Sequence, residues 1–195
     1  MPRAVLLASI SLFIALALAL QVRAADIPRG SVELQFAGSF DRMSIQDGSD
    51  DIGSKSEAKI GFGFARALTD RFMLGSSLSM IYASIDPEGS GSSSASALRG
   101  NLDAYLNFDG GETLIPFLQL SFGVIRWSDD SASDYKPTLI VPRIGAGLRV
   151  LIGDSAAFVG VLGFENHIHA VGDEDLSARD IGLSFGISAF PGGLQ

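Results

Sequence analysis

The chain has 195 residues, of which 47% are hydrophobic and 18% are charged, and it contains no cysteine. Its 14 Lys and Arg against 22 Asp and Glu give a formal charge of −8, which disfavours a nucleic-acid partner because phosphate binding needs clustered basic residues. The apolar content excludes global disorder, and the absence of cysteine excludes a disulfide framework.

Residues 1–24 are predicted to be a cleaved secretory signal. Arg3 precedes an almost unbroken apolar run over 4–20, and the segment ends on Ala24. A positive start, an apolar stretch and small residues at the cleavage site are the features of such a signal. An uncleaved membrane anchor is the alternative. Cleavage would leave residues 25–195 as the barrel domain, with 12 Lys and Arg against 22 Asp and Glu and a formal charge of −10.

Eight later segments alternate apolar residues with small or polar ones. The first, over 32–40, has Val, Leu, Phe, Gly and Phe at even positions and Glu, Gln, Ala and Ser at odd ones. The same period recurs over 59–65, 74–82, 98–108, 118–124, 143–150, 158–168 and 181–188. Segments of about ten residues with this period are typical of strands that cross a bilayer. No later stretch has the ~20 apolar residues that a membrane-spanning helix needs.

The connections between these segments alternate in length. The expected long ones, rich in Ser, Gly and Asp, are 44–56, 86–96, 128–137 and 170–178, and the expected short ones are 69–71, 109–112 and 152–155. Outer-membrane barrels have long external loops, short periplasmic turns and both termini in the periplasm. The sequence therefore predicts an all-β protein, an eight-stranded antiparallel up-and-down transmembrane β-barrel. A soluble barrel is the alternative, but its water-facing side should be dense in charge rather than in Gly, Ala and Ser.

The bulky apolar face of the strands is predicted to face lipid, and the small and polar face to line a crowded lumen. The predicted lipid-facing residues are Phe36, Ile60, Phe62, Phe64, Leu78, Leu102, Leu120, Phe122, Ile144, Leu148, Leu162, Phe164, Leu183 and Phe185. Arg66 and Arg126 share this phase near strand ends, where long side chains reach head groups. Tyr82 and Trp127 are expected in an aromatic girdle. Pro142 predicts either a bulge in the sixth strand or a strand that begins there.

With these features the chain resembles the small eight-stranded outer-membrane proteins, the family of the OmpA transmembrane domain and the OmpX-like proteins. The resemblance covers 31–190 and rests on the signal, the eight segments, the turn over 68–71 and a Phe-containing last strand. It implies the outer membrane of a Gram-negative-type bacterium, with outer-membrane lipids, lipopolysaccharide and the barrel assembly machinery as partners. Such barrels usually end on an aromatic residue, whereas Phe190 is followed by 191–195 and is out of phase with Ile187. This departure implies a bulge or a degenerate assembly signal.

Seven charged residues fall in the lumen phase: Glu33, Lys59, Arg99, Asp103, Arg143, Arg149 and Glu165. Isolated ions are costly where the dielectric constant is low, so four cations and three anions predict mutual pairing. Strand order favours Glu33 with Lys59, and Glu165 with Arg143 or Arg149. Such a network would plug a lumen that is barely wide enough for side chains.

Glu165, His167 and His169, followed by carboxylates over 173–175, are the only cluster with catalytic ingredients. Metal binding and lipid A deacylation are the alternatives for it. Those deacylases have a serine two residues after the histidine, where this chain has His169. We therefore expect no enzyme, no metal site and no cofactor.

The predicted role is structural or adhesive: the barrel stabilises the envelope, or its acidic external loops bind an extracellular ligand. A narrow porin-like channel for ions or small solutes is the second hypothesis. An outer-membrane lipid-modifying enzyme is the third.

Overall fold

The computed structural model describes residues 27–47, 50–87, 93–129, 138–169 and 177–194. Its strands are β1 (Val32–Asp47), β2 (Asp50–Ala67), β3 (Phe72–Pro87), β4 (Ser93–Asn107), β5 (Leu114–Asp129), β6 (Thr138–Leu151), β7 (Ala156–His169) and β8 (Ser177–Ala189). Each strand pairs antiparallel with the next, and β8 pairs with β1. The predicted all-β, eight-stranded, up-and-down barrel is thereby confirmed. In the part of the chain that the structure describes, no helix is long and apolar enough to cross a bilayer.

The strands are longer than the sequence predicted, at 13 to 18 residues. The expected connection over 44–56 is largely strand, because β1 and β2 stay paired up to Asp47 and Asp50. Backbone pairing needs no apolar alternation, so it can continue beyond the last alternating residue. Most of 128–137 and 170–178, and the predicted signal over 1–24, lie outside the described residues.

Exposed apolar side chains form a belt around the outside of the barrel. Thirteen of the fourteen residues predicted to face lipid are exposed, from 36% for Leu148 to 69% for Leu102. The other, Phe164, is half-buried. Arg66 and Arg126 are exposed on the same outer face, each near the C-terminal end of its strand and therefore at opposite ends of the barrel. The outer surface therefore has the composition that a hydrocarbon environment requires.

Trp127 does not lie in the outer girdle where the sequence placed it. It packs against a buried apolar cluster on the lumen side, formed by Ile81, Ala97, Ile125, Leu139 and Val141. The reason is the period of the strand, since odd positions of β5 face inward. Tyr82, at an even position of β3, is 56% exposed on the outer face.

Pro142 interrupts the backbone pairing of β6 with β7 without changing its register. It lies opposite Phe122 of β5, and β6 already begins at Thr138. On the β7 side, pairing stops after Ile140 and resumes in the same register at Arg143 opposite Glu165. The missing N–H of proline thus removes a local pairing between β6 and β7, and both predictions for this residue, a bulge and a later strand start, are wrong.

The short connections and both described chain ends meet at one end of the barrel, here called the terminal end; the opposite end is the distal end. Phe190 N–H donates to the carbonyl of Ser155 at 2.8 Å, and Leu194 N–H donates to that of Asp154 at 2.7 Å. Gly153, with a φ of 66°, allows the turn that presents these carbonyls. The residues after β8 are therefore fastened to the β6–β7 turn.

Phe190 continues the inward alternation of β8 and is fully buried. The ladder between β7 and β8 runs in one register from Ala156 opposite Ala189 to Ile168 opposite Ser177. The expected bulge is therefore absent from the described pairs. The phase of Phe190 differs from that of Ile187 because its ring faces the lumen instead of lipid.

Candidate functional site

The lumen holds the polar side chains of the barrel, and its terminal end is built around one buried ion pair. Arg149 donates from Nε to Glu33 Oε1 at 2.8 Å and from its Nη2 to Oε2 at 2.9 Å. Ser188 donates to Glu33 at 2.6 Å, and Arg149 donates to Asn107 at 2.8 Å. Both charged residues have no solvent exposure. Two parallel hydrogen bonds and these additional partners are what a pair of buried charges requires.

Aromatic rings enclose the guanidinium of Arg149. Its Cζ lies 4.1 Å from the centre of the Phe117 ring and 5.3 Å from that of Tyr105. The two rings meet edge to face, with centres 5.8 Å apart. Gly147 makes room for this packing, because a Cβ at that position would lie 2.3 Å from Phe117 Cζ. The stacked cation therefore needs both its rings and a glycine two residues before it on β6.

An apolar floor closes the same end. It consists of Ile27, Ala65, Ala67, Met73, Tyr105, Ile115, Phe117, Ala157, Val161 and Phe190, all buried. Ile27 precedes β1 and Phe190 follows β8, so both chain ends contribute to it. The ion pair and the floor together, the terminal plug, fill the lumen with contacting side chains.

The middle of the lumen is polar and holds smaller side chains. Asp103 accepts hydrogen bonds from Ser77 at 2.8 Å, from Gln119 at 3.1 Å and from Ser121. Asn101 donates to Ser77 at 3.0 Å. Neutral donors thus stabilise the carboxylate of Asp103.

Glu165 is the centre of a charged layer above this region. Arg99 donates to it at 2.7 Å, Arg143 Nε lies 3.5 Å from Oε1, and His167 Nε2 lies 3.5 Å from Oε2. Glycine gives Arg143 its position: a Cβ on Gly163 would lie 2.4 Å from Arg143 Nε. The layer therefore joins β4, β6 and β7 through one carboxylate.

The predicted pairing of Glu33 with Lys59 is wrong. Lys59 lies opposite Ser39, six residues along β1 from Glu33, or about 20 Å at the rise of a strand. Its Nζ pairs with Glu57 at 2.8 Å. Of the two partners expected for Glu165, Arg143 lies beside it, whereas Arg149 pairs with Glu33.

A cavity of about 130 Å³ remains in the lumen between the terminal plug and the charged layer. Small residues line much of it, among them Ala37, Gly61, Gly63, Ser77, Ser79, Ser184 and Gly186. Its volume corresponds to about four water molecules. The cavity is therefore large enough to hold water, and the plug separates it from the terminal end.

The suggested catalytic cluster is only partly described. His167 faces the lumen beside Glu165, which Arg99 and Arg143 also contact. The carboxylates over 173–175 lie outside the described residues. In the ranges that the structure covers, no group of three or more His, Cys, Asp or Glu side chains is placed to hold a metal ion.

Sequence reasoning assigned the seven lumen charges but missed most of the residues that hold them. Asn107, Gln119 and Ser188 are uncharged residues on the lumen face. Ile27 and Phe190 lie outside any strand. The inward phase marks Asn107, Gln119 and Ser188 as lumen residues, whereas no local pattern marks the two floor residues.

Three solved structures are similar to this barrel. The N-terminal β-barrel domain of Pseudomonas aeruginosa OprF is 16% identical, with a TM-score of 0.51 over 83% of this chain and 97% of that one. Neisserial surface protein A is 16% identical, with a TM-score of 0.53 over 83% and 97%. The outer membrane protein OprG of Pseudomonas aeruginosa is 12% identical, with a TM-score of 0.56 over 85% and 98%. No protein-family model and no curated protein sequence matches the chain.

The chain is thus a small eight-stranded β-barrel of the outer-membrane type. Identities this low establish the shared fold. What the barrel does must be argued from its own lumen and surface.

Proposed function

We propose that this chain is an integral outer-membrane protein whose closed barrel stabilises the envelope and presents its distal connections for adhesion. The outer belt of exposed apolar residues supports insertion into a bilayer. The short turns and both described chain ends lie at the terminal end, which in this class faces the periplasm. Outer-membrane lipids and lipopolysaccharide would surround the belt, and the barrel assembly machinery would insert it.

The observation that carries a structural role is the terminal plug. Glu33, Arg149 and Phe190 are fully buried in it, so packed side chains fill the described part of the lumen at that end. Eight strands leave an interior that side chains can fill, whereas channels of the porin type need about 16 strands. A filled barrel acts as a rigid support for whatever its strand ends present.

The acidic excess of the chain indicates the kind of ligand that adhesion would involve. In the sequence, carboxylates are frequent at and between the distal strand ends: Asp47, Asp50, Asp51, Asp129, Asp130, Asp173, Glu174 and Asp175. Such a surface attracts a cationic partner by charge complementarity and repels anionic ones. A cationic segment of an extracellular protein is the ligand class we propose.

Envelope integrity in cells with and without the protein tests the structural role. We expect cells that lack it to release more periplasmic enzyme, and reintroduced protein to restore retention without faster uptake of small hydrophilic solutes. Unchanged retention after its loss would contradict the structural role.

Replacing Asp47, Asp50 and Asp51 with Asn tests adhesion separately: binding of cells to cationic surfaces should fall while retention stays intact.

A narrow channel is the second candidate, favoured by the polar cavity and its charged lining. Swelling of liposomes that contain the purified barrel distinguishes it from the first. Swelling in small sugars or amino acids at a rate above that of empty liposomes would support the channel and contradict a sealed terminal end.

A further inference from the structure

The closing seam of the barrel is paired over only part of its length. Leu34–Gly38 of β1 lie opposite Phe185–Ala189 of β8. Among the described residues no pair joins the two strands beyond this point, although β1 continues to Asp47 and β8 begins at Ser177. Both strands keep their other neighbours throughout this stretch. On the distal side of Gly38 and Phe185, the facing edges of β1 and β8 are therefore unpaired. The gap between these two edges is here called the β1–β8 opening.

The β1–β8 opening lies within the apolar belt. Phe40 on one edge is 70% exposed, and Ile181 and Leu183 on the other are 49% and 47% exposed. Backbone N–H and C=O groups that lack partners cost several kcal/mol each in hydrocarbon. An occupant of this opening therefore meets an apolar surface on the lipid side and polar groups on the lumen side.

The lumen cavity reaches the same place from inside. Its lining includes Gly38 and Ser39 on the β1 edge and Ser184 and Phe185 on the β8 edge. Gly182, the next lumen-facing residue of β8, adjoins open space, since a Cβ there would meet no atom within 4 Å. The opening therefore connects the lipid-facing surface with the polar interior.

The cavity lining offers donors to this occupant. Gln35 Nε2 and Arg143 Nε are buried and make no hydrogen bond of normal geometry, although Arg143 Nε lies 3.5 Å from the carboxylate of Glu165, and both residues line the cavity. Lys59 and Arg99 line it as well, paired with Glu57 and Glu165, and Glu165 is the only carboxylate among the described residues of the lining. A lining with three cations and one carboxylate, together with the buried donor Gln35 Nε2, favours an anionic acceptor.

The size of the cavity restricts the anionic group. About 130 Å³ holds a carboxylate and the first methylenes of a chain, but not the esterified glycerol of a two-chain lipid. We propose that the β1–β8 opening binds a long-chain fatty acid from the surrounding lipid. The carboxylate lies in the lumen cavity near Arg143, and the chain leaves between Phe40 and Leu183.

An engineered disulfide across the β1–β8 opening, here called the cysteine lock, tests the route of the fatty acid. The chain has no cysteine of its own, so only the introduced pair can form this disulfide. The full-length protein in lipid nanodiscs is titrated with oleic acid labelled with ¹³C at the carboxyl carbon, and a shifted carboxyl resonance reports the bound head group. The oxidised Phe40→Cys/Leu183→Cys pair should lose this resonance and regain it on reduction. The control pair Phe36→Cys/Ile187→Cys crosses the paired part of the seam and should leave it unchanged.

Three outcomes of the lock would overturn the proposal. The first is a bound resonance that persists in the oxidised Phe40→Cys/Leu183→Cys protein, and the second is its absence from the unmodified protein. The third is disulfide-linked dimers formed by Phe40→Cys alone, which would assign the opening to a second copy of the chain.

Two further measurements test the head-group site. Methyl oleate carries the same chain without the charge and should give no bound resonance; equal binding of acid and ester would exclude a carboxylate site.

Arg143→Lys keeps the charge but removes the Nε donor, so oleate affinity should fall about tenfold. Urea unfolding like that of the unmodified protein would show that the barrel is intact, and unchanged affinity in such a barrel would contradict the role of Arg143.

Discussion

The two halves of the lumen follow the same strand alternation and differ in what they enclose. At the terminal end, Glu33 and Arg149 pair among large rings with no solvent exposure. In the middle, serines and glycines surround a cavity, and a layer of charges adjoins it. The difference shows that side-chain size decides whether an eight-stranded lumen is dry or hydrated. Charge alone does not, because ions are present in both halves.

The largest effect should come from breaking the ion pair of the dry half. Arg149→Ala leaves Glu33 buried and uncompensated, so we expect the free energy of unfolding to fall by about 3–5 kcal/mol. Urea unfolding of the barrel in detergent, followed by Trp127 fluorescence, measures it. The matched change Arg143→Ala in the other half should cost less than about 2 kcal/mol, since Glu165 keeps its 2.7 Å hydrogen bond from Arg99. Equal losses would remove the distinction between the halves.

Replacing both residues of the ion pair tests whether the unpaired charge causes the loss of stability. The double variant Glu33→Gln/Arg149→Met removes both charges, and it should recover at least half of the stability lost in Arg149→Ala. A double variant as unstable as the single one would mean that the cost arises from packing on Phe117, not from the unpaired carboxylate.

Phe190→Ala should lower the free energy of unfolding by about 3 kcal/mol, because a fully buried ring leaves a cavity in the floor. Phe185→Ala is the control. That ring is 63% exposed on the outer face, where lipid or detergent fills the space left by its removal. Heat-modifiable migration on gels and urea unfolding compare the two, and similar losses would contradict the inward position of Phe190.

Gly147→Ala should cost about 1–3 kcal/mol, since the added Cβ would meet the Phe117 ring and the carbonyl of Gly160. Gly100→Ala, whose Cβ would meet nothing within 4 Å, should change stability by less than about 0.5 kcal/mol. If both variants unfold at the same urea concentration, the close approach of Phe117 to β6 is not a constraint.

The smallest loss of stability is expected from a substitution in the polar middle of the lumen. Asp103→Asn keeps the volume but replaces an acceptor oxygen with a donor, so we expect a loss of about 1 kcal/mol by urea unfolding. Ser79→Ala, a change in the cavity lining, is the control and should be nearly neutral. A loss above about 3 kcal/mol for Asp103→Asn would show that this region is as dry as the terminal end.

The period of two in the sequence was enough to predict the strands, their order and their two faces, because a one-residue error would turn every side chain over. It placed Glu33, Arg149 and Glu165 inside. The period could not predict the partners of these residues. Which side chains meet across the lumen depends on the register and stagger of the strands, and these bring Arg149 to Glu33. Phe190 was misjudged because its environment depends on where the chain ends are fastened, which no local pattern encodes.

Single-channel recording in planar bilayers tests the sealed terminal end most directly. We predict that the unmodified barrel gives no conductance steps, and that the double variant Arg149→Ala/Phe190→Ala, if it inserts, gives small ones because the plug has lost its cation and its floor. Stable steps from the unmodified protein would contradict the closed lumen.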